Sequence, residues 1–352
     1  MGKHKLKLWL RGAYAAFLYH SGLHALVDRA MPRRLTILFG HCVADPAVNG
    51  FLLADMKIGA GRLEQLLGWF ARRYDMVTIG EGLARLGQGG GRSLVALSMD
   101  DGYRDNRTGL LPILARTGAR ATVFLETRPL DGGDLNWSHK LFWLLDRGEG
   151  IEALARGYGE LAGDEKTRAA LQGALAGDGD RVYQVKRVLK YDADPDDRER
   201  VIDQLFRARG GEAAALARAL YLGWDDARAL RDAGVELGGH TVHHHVLAGL
   251  PRARQAEEIR GCAAAMERAF GERPAVFAYP FGRRWDYDAA SVEEARAAGF
   301  AAAVNTHAGT NAGAGFELRR LSIDDGARLP LLVAEACGGF DLLRRLGIDL
   351  SE

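Results

Sequence analysis

The 352-residue sequence predicts an α/β fold: a parallel sheet or barrel with helices outside it, interrupted by a helical insertion and preceded by a basic amphipathic helix. Three observations carry this. Short apolar runs alternate with segments of helical apolar spacing from Leu35 onward. The alternation stops over residues 130–224 and then resumes. Residues 1–34 mix apolar and basic side chains with one acid, Asp28.

The strand candidates in the first half are Leu35–Phe39, Met76–Ile79, Ser93–Met99 and Ala121–Leu125. Between them Leu63–Arg73, Leu83–Leu86 and Leu110–Arg116 have helical spacing, with Pro112 tolerable in a first turn, and Gly87–Gly91 breaks the chain. In the second half Val235–Leu237, Ala275–Tyr279, Ala301–Asn305 and Leu318–Ile323 read as extended. Asp225–Ala233, Glu257–Phe270 and Ser291–Ala298 read as helical. The interruption, residues 130–224, offers no strand. Leu141–Leu145, Ala169–Leu175, Val182–Leu189 and Glu199–Arg209 have helical character, and Asp192–Asp197 reads as a linker and helix start. The expected organisation is an N-terminal helix over 1–34, a discontinuous barrel of 35–129 and 225–330, the insertion at 130–224, and a helical tail over 331–352.

Composition excludes some partners. Lys and Arg number 47 against 46 Asp and Glu, for a formal charge of +1, and no basic tract is interleaved with aromatics, so nucleic acid is not expected as a partner. Cys42, Cys262 and Cys337 are too few and too scattered for a disulfide framework, which fits reduced thiols and a cytoplasmic protein. In residues 1–34, Lys3, Lys5, Lys7, Arg11, Arg29, Arg33 and Arg34 surround Trp9, Phe17, Leu18 and other apolar residues. No apolar run there is long enough to span a membrane, and no cleavage site follows an apolar core. Such a helix either covers the barrel or lies peripherally on the inner membrane face.

Chemistry concentrates in two segments. The strand candidate Ser93–Met99 runs into Asp100-Asp101-Gly102, two carboxylates at a strand exit, of which one can bind a metal while the other stays free as a base. Downstream, His240-Thr241-Val242-His243-His244 spaces His240 and His244 four apart, so that on a helical turn they share a face. One Asp and two His leave open positions on a Zn²⁺-like ion, the arrangement of a hydrolytic metal site.

Together with Tyr279-Pro280-Phe281-Gly282, these segments resemble the motifs of the polysaccharide deacetylases (NodB-homology proteins, carbohydrate esterase family 4), in family order, over about residues 35–128 and 225–325. The resemblance implies a deformed (β/α) barrel, with Asp101, His240 and His244 as ligands of one divalent metal and Asp100 as general base. Zn²⁺ is expected, with Co²⁺, Ni²⁺ or Mn²⁺ as alternatives. It also implies a groove wall at Tyr279, Pro280 and Phe281, with the Phe281 N–H binding the oxyanion. The implied activity is hydrolysis of an N-acyl group, acetyl first, from an amino sugar of a glycan or its precursor. Deacylation or deformylation of a membrane lipid-linked sugar, O-deacetylation, and non-catalytic glycan binding on the same fold are the alternatives.

The sequence departs from the family twice. The Arg that many members carry two residues before the motif Pro is Ala278, and Arg319 or Arg320 could replace its charge. The C-terminal Leu-x-Leu-His motif is absent, which leaves His307 as the candidate general acid and His41 and His139 as competitors. Trp137, at the start of the insertion with His139, Phe142 and Trp143, is the candidate sugar-stacking residue, so the insertion is expected to form a wall or lid.

Overall fold

A computed structural model describes residues 2–88, 91–162, 164–348 and 350. Gly89 and Gly90 of the expected break, Gly163 in the insertion, and Met1, Asp349, Ser351 and Glu352 of the terminal segments lie outside the described residues.

The strands are β1 (Leu35–Gly40), β2 (Cys42–Val43), β3 (Lys57–Ile58), β4 (Asp75–Val77), β5 (Leu94–Met99), β6 (Ala121–Leu125), β7 (Glu236–Gly239), β8 (Val276–Ala278), β9 (Ala302–Val304) and β10 (Leu321–Ser322). The main sheet runs β10-β1-β5-β6-β7-β8-β9, every pair parallel. On one flank of β5, β4 pairs with Leu94–Ala96 and β6 with Leu97–Met99. A single parallel bridge, Val304 to Leu318, ties the far edge to the segment before β10, so the sheet curls into an incompletely closed barrel.

Alternation along the strands sorts the core. Leu35, Ile37, Leu94, Ala96, Phe124, Val276, Ala278, Ala302 and Val304 fill the inside of the curl. Leu38, Val95, Leu97, Met99, Val123 and Leu125 face outward onto helix residues such as Leu63, Leu67 and Phe70. Both faces are covered, which is why these strands read as continuous apolar runs. The three cysteines are free and buried.

Three expectations need correction. The strand expected over Met76–Ile79 stops at Val77, because Thr78 caps a helix, Ile79–Leu86, by accepting from the Glu81 N–H. The single helix expected over 1–34 is two, Lys3–Ser21 and His24–Ala30, separated where Gly22 turns left-handed. The insertion also holds two helices that the sequence hid, Ile151–Leu161 and Ala213–Leu220. Gly157 and Gly159 disguise the first of these, yet Ile151, Leu154, Ala155 and Tyr158 form its buried face. The insertion has its own apolar core, which reaches Cys42, Leu52 and Tyr103 at one end of the barrel.

Candidate active site

The C-terminal ends of β1, β5, β7 and β8 release His41, Asp100-Asp101, His240 and Tyr279 at the same end of the sheet. This is the end where a parallel barrel carries its chemistry. A cavity of about 500 Å³ opens there, lined by His41, Asp100, Asp101, Trp137, His139, His240, His244 and Phe281 among others.

The local backbone is strained where it must aim these groups. Among the described residues the only non-glycine residues with positive φ are Asp101 (71°), Thr241 (68°), His244 (56°) and Phe281 (60°), all in the three motifs. Gly102 continues the turn at φ 70°, and a Cβ on it would come within 3.1 Å of Leu125. The expected helical turn over His240–His244 does not form, since left-handed Thr241 and His244 break it. The segment is instead a loop held from outside. The His244 N–H donates to Thr241 Oγ1 at 3.0 Å. The buried Glu258 carboxylate accepts from the Val242 and His243 N–H groups at 3.1 and 2.8 Å, and from His243 Nδ1 at 2.6 Å.

This loop brings together the three atoms that the sequence paired. Asp101 Oδ1 lies 3.3 Å from both His240 Nε2 and His244 Nε2, which are 3.2 Å apart. Ligands at about 2.0–2.2 Å from a tetrahedral Zn²⁺ would stand roughly 3.3–3.6 Å from one another, so the spacing fits a metal. Asp101 Oδ1 is buried without a hydrogen bond among the described residues, as an oxygen aimed at an ion would be. His240 Nδ1 donates to the Ala278 carbonyl at 2.7 Å, which leaves the Nε2 lone pair facing the cluster. Burial opposes ionisation of Asp101, but His244 and His240 outweigh it and hold the carboxyl well below its usual range. Burial pushes His244 down, toward the neutral form that a ligand needs. The other oxygen, Asp101 Oδ2, accepts from Tyr103 Oη at 3.0 Å. Tyr103 in turn lies 2.8 Å from His139 Nε2, and His139 Nδ1 accepts from the Tyr221 hydroxyl. A residue of the insertion thus steadies a barrel carboxylate.

Asp100 is clamped separately. Arg320, fully buried just before β10, donates from Nη1 and Nη2 to its two oxygens at 2.7 and 2.8 Å. The guanidinium also bonds Ser98 Oγ and the Asn305 carbonyl. Burial would raise the Asp100 pKa, but Arg320 and then His240 outweigh it, and the net shift is downward. Of the two arginines offered by the sequence, Arg320 faces the carboxylate, while the backbone of Arg319 engages Asn311.

Several expected site residues stand elsewhere. Tyr279 and Pro280 are not among the cavity-lining residues. Tyr279 turns toward the helix layer and stacks on Tyr287 at 4.1 Å between ring centroids. Phe281 does line the cavity, and its N–H has no partner among the described residues. His307 is also absent from the lining, where its neighbour Thr306 takes the place. The His307 N–H is held by Asn305 Oδ1, and its carbonyl accepts from the Arg320 N–H. Trp137 lines the cavity, with an indole N–H that no described residue accepts and Arg198 stacked 4.3 Å from its ring. His139 lines the cavity too, but both ring nitrogens are engaged and burial pushes its pKa down to about 3, so it stays neutral. His41 lines the cavity with no side-chain hydrogen bond among the described residues. Sequence reasoning did not find Tyr103, Tyr221 or Glu258, whose roles depend on contacts that no local pattern announces.

The comparisons with known proteins agree with this geometry. The polysaccharide deacetylase family model matches residues 188–303, a span that holds the histidine loop and Tyr279–Gly282 but not the Asp pair. No curated protein matches. Among solved structures, the chain is similar to a Streptococcus pyogenes deacetylase, PplD, in complex with acetate (TM-score 0.55, 16% identity, covering 87% of this chain and 99% of that one). It is also similar to a polysaccharide deacetylase from Bacillus cereus (0.53, 14%, 86% and 69%) and to a de-N-acetylase from Aggregatibacter actinomycetemcomitans (0.53, 16%, 84% and 97%). At these identities the structures establish the fold. The matched segment, the motifs and the fold all make this chain similar to the polysaccharide deacetylases.

Proposed function

We propose that the protein is a metal-dependent hydrolase that removes an N-acyl group, acetyl first, from an amino sugar. The observation that carries this is the convergence of Asp101, His240 and His244 beside an Arg320-held Asp100 in one cavity. A divalent ion at the triad, Zn²⁺ by its imidazole and carboxylate donors, would supply Lewis-acid polarisation of the acyl carbonyl and a more acidic water. Asp100, held ionised and in a fixed orientation, takes the proton of the attacking water. The unused Phe281 N–H donates to the carbonyl oxygen as it gains charge. Trp137, backed by Arg198, contributes its ring to the cavity wall on the sugar's side. His41, the cavity histidine whose ring nitrogens have no hydrogen-bond partner among the described residues, hands a proton to the departing amine. This replaces His307 as the acid. His41→Ala should therefore slow amide hydrolysis by about 10²–10⁴-fold and activated esters far less, since their leaving groups need no proton. His307→Ala should do neither, and the reverse pattern in steady-state kinetics would return the acid to His307.

A lipid-linked sugar at the cytoplasmic membrane face is the second reading, and the N-terminal helices favour it. Helix Lys3–Ser21 packs through Ala15 and Leu18 onto Leu329–Ala336 and the Phe340 region. Its opposite side exposes Leu6, Trp9 (61%), Leu10 and Phe17 (57%), followed by Leu23 and Leu26 on the next helix. Of the 11 large hydrophobic residues exposed among the described residues, seven lie between Leu6 and Leu26. Lys5, Lys7 and Arg29 belong to the same two helices, which suits an anionic bilayer. No helix among the described residues is long and apolar enough to cross a membrane. The full chain should sediment with anionic liposomes, and Trp9→Ser/Phe17→Ser should abolish most of that binding while the protein stays folded. No sedimentation of the full chain, or equal sedimentation of the variant, would count against membrane contact.

A further inference from the structure

We propose that the mouth of the cavity is a subsite for a phosphate or diphosphate group carried by the acylated sugar. The inference rests on the deacylase reading and narrows its substrate. Three cations, Lys186, Arg187 and Lys190, come from the insertion helix Arg181–Tyr191, and Arg283 comes from the loop that follows Tyr279–Gly282. All four line the same cavity as the metal triad.

Their surplus is local. The chain as a whole carries 47 basic and 46 acidic residues. Inside the cavity Asp100 is already matched by Arg320, and Asp101 would be matched by the divalent ion that its triad would hold. The acids facing the four cations are Asp55, which shares the lining, the buried Asp286, and Asp180, which caps the insertion helix and acts on Lys186 from outside the lining. Asp286 binds Lys190 Nζ at 3.0 Å and the Tyr191 hydroxyl at 2.9 Å, which ties the insertion helix to the Arg283 loop. Lys186, Arg187 and Arg283 have no ion-pair partner among the described residues, unlike many arginines of this chain. Lys186 lies over the Phe142 ring at 4.4 Å and Lys190 over Phe281 at 3.6 Å, so both are drawn in among apolar groups.

Burial lowers both lysines, and Lys190 falls to about 8 although Asp286 opposes the shift; Arg283 pushes each further down. Like charges gathered at a half-buried mouth repel one another unless an anion joins them. Arg guanidinium forks and Lys ammonium groups together suit phosphate oxygens. Exposed Tyr183 on the same helix, and Trp285, whose N–H donates to Tyr191 at 2.8 Å, add flat surface beside the charges.

The test is isothermal titration of the zinc-loaded full chain with four probes. These are N-acetylglucosamine, its 1-phosphate, uridine diphosphate N-acetylglucosamine and farnesyl-diphosphate-linked N-acetylglucosamine. The phosphorylated probes should bind at least about tenfold tighter than the neutral sugar, and the preference should shrink between about 50 and about 500 mM salt. Arg187 and Arg283 are exposed, so Arg187→Gln/Arg283→Gln should fold, and it should reduce the phosphorylated-to-neutral affinity ratio by about tenfold. A tightest fit to the uridine probe identifies a nucleotide-linked sugar, and to the farnesyl probe a lipid-linked one. Equal affinity for neutral and phosphorylated sugars would overturn the subsite. So would a preference that the double variant retains in full, because the metal alone would then hold the phosphate. If none of the four probes binds, the amino-sugar reading falls and the subsite with it.

Discussion

Asp100→Asn is expected to lower turnover by about 10²–10⁴-fold while the chain keeps its metal, the loss typical of a missing general base. The substitution is nearly isosteric. Arg320 can still donate to the amide oxygen, so the fold and the triad should survive. What disappears is the acceptor for the water proton. Steady-state rates and metal analysis on the same preparation separate this from structural damage. Near-normal turnover with metal bound would mean that the base is another group. Loss of metal would mean that Asp100, rather than Asp101 alone, belongs to the ligand set.

Arg320→Met is the second large effect, and it falls on stability. The guanidinium is fully buried, and removing it strands a buried carboxylate without its countercharge, which typically costs about 3–5 kcal/mol. In the Asp100→Asn background the same substitution should cost much less, because no charge is left unpaired. Urea unfolding of the four proteins closes this double-mutant cycle. A single-variant loss below about 1 kcal/mol would show that the pair contributes little to stability. The pH dependence has a definite sign. Folding lowers the Asp100 pKa, since the Arg320 pair outweighs burial. The stabilisation is therefore present above the ordinary value of 3.8 and is lost as pH falls through the lowered folded value.

The parts of this site that were legible in the sequence are those confined to contiguous segments. Asp100-Asp101-Gly102 closes an apolar run, and a strand exit was the natural reading. His240 and His244 stand together, as their spacing suggests, but for a different geometric reason. Their rings meet because positive φ at Thr241 and His244 folds the loop back, with Glu258 holding its amides, and not because a helix stacks them. Arg320 could only be narrowed to one of two arginines, because its partner lies 220 residues away and only the β10-β1-β5 order brings them together. His139 has the position of a candidate acid, but Tyr103 from the barrel and Tyr221 from the end of the insertion occupy both its nitrogens. His307 follows a strand, as a site residue would, yet side chains alternate at a strand end, and it is Thr306 that lines the cavity. The barrel strands were readable because both faces are buried. Two insertion helices were not, because their glycines and short lengths hid a one-sided apolar face.

The most direct measurement is acyl release from N-acetylated amino sugars, followed by mass spectrometry, for the zinc-loaded chain, the chelator-treated chain and His240→Ala. The account predicts loss of the acyl mass with the loaded chain only. It also predicts about one equivalent less bound metal in His240→Ala, as removal of one of three protein ligands implies. Acyl release that persists in the chelated chain, or a His240→Ala variant with full metal and full activity, would contradict it.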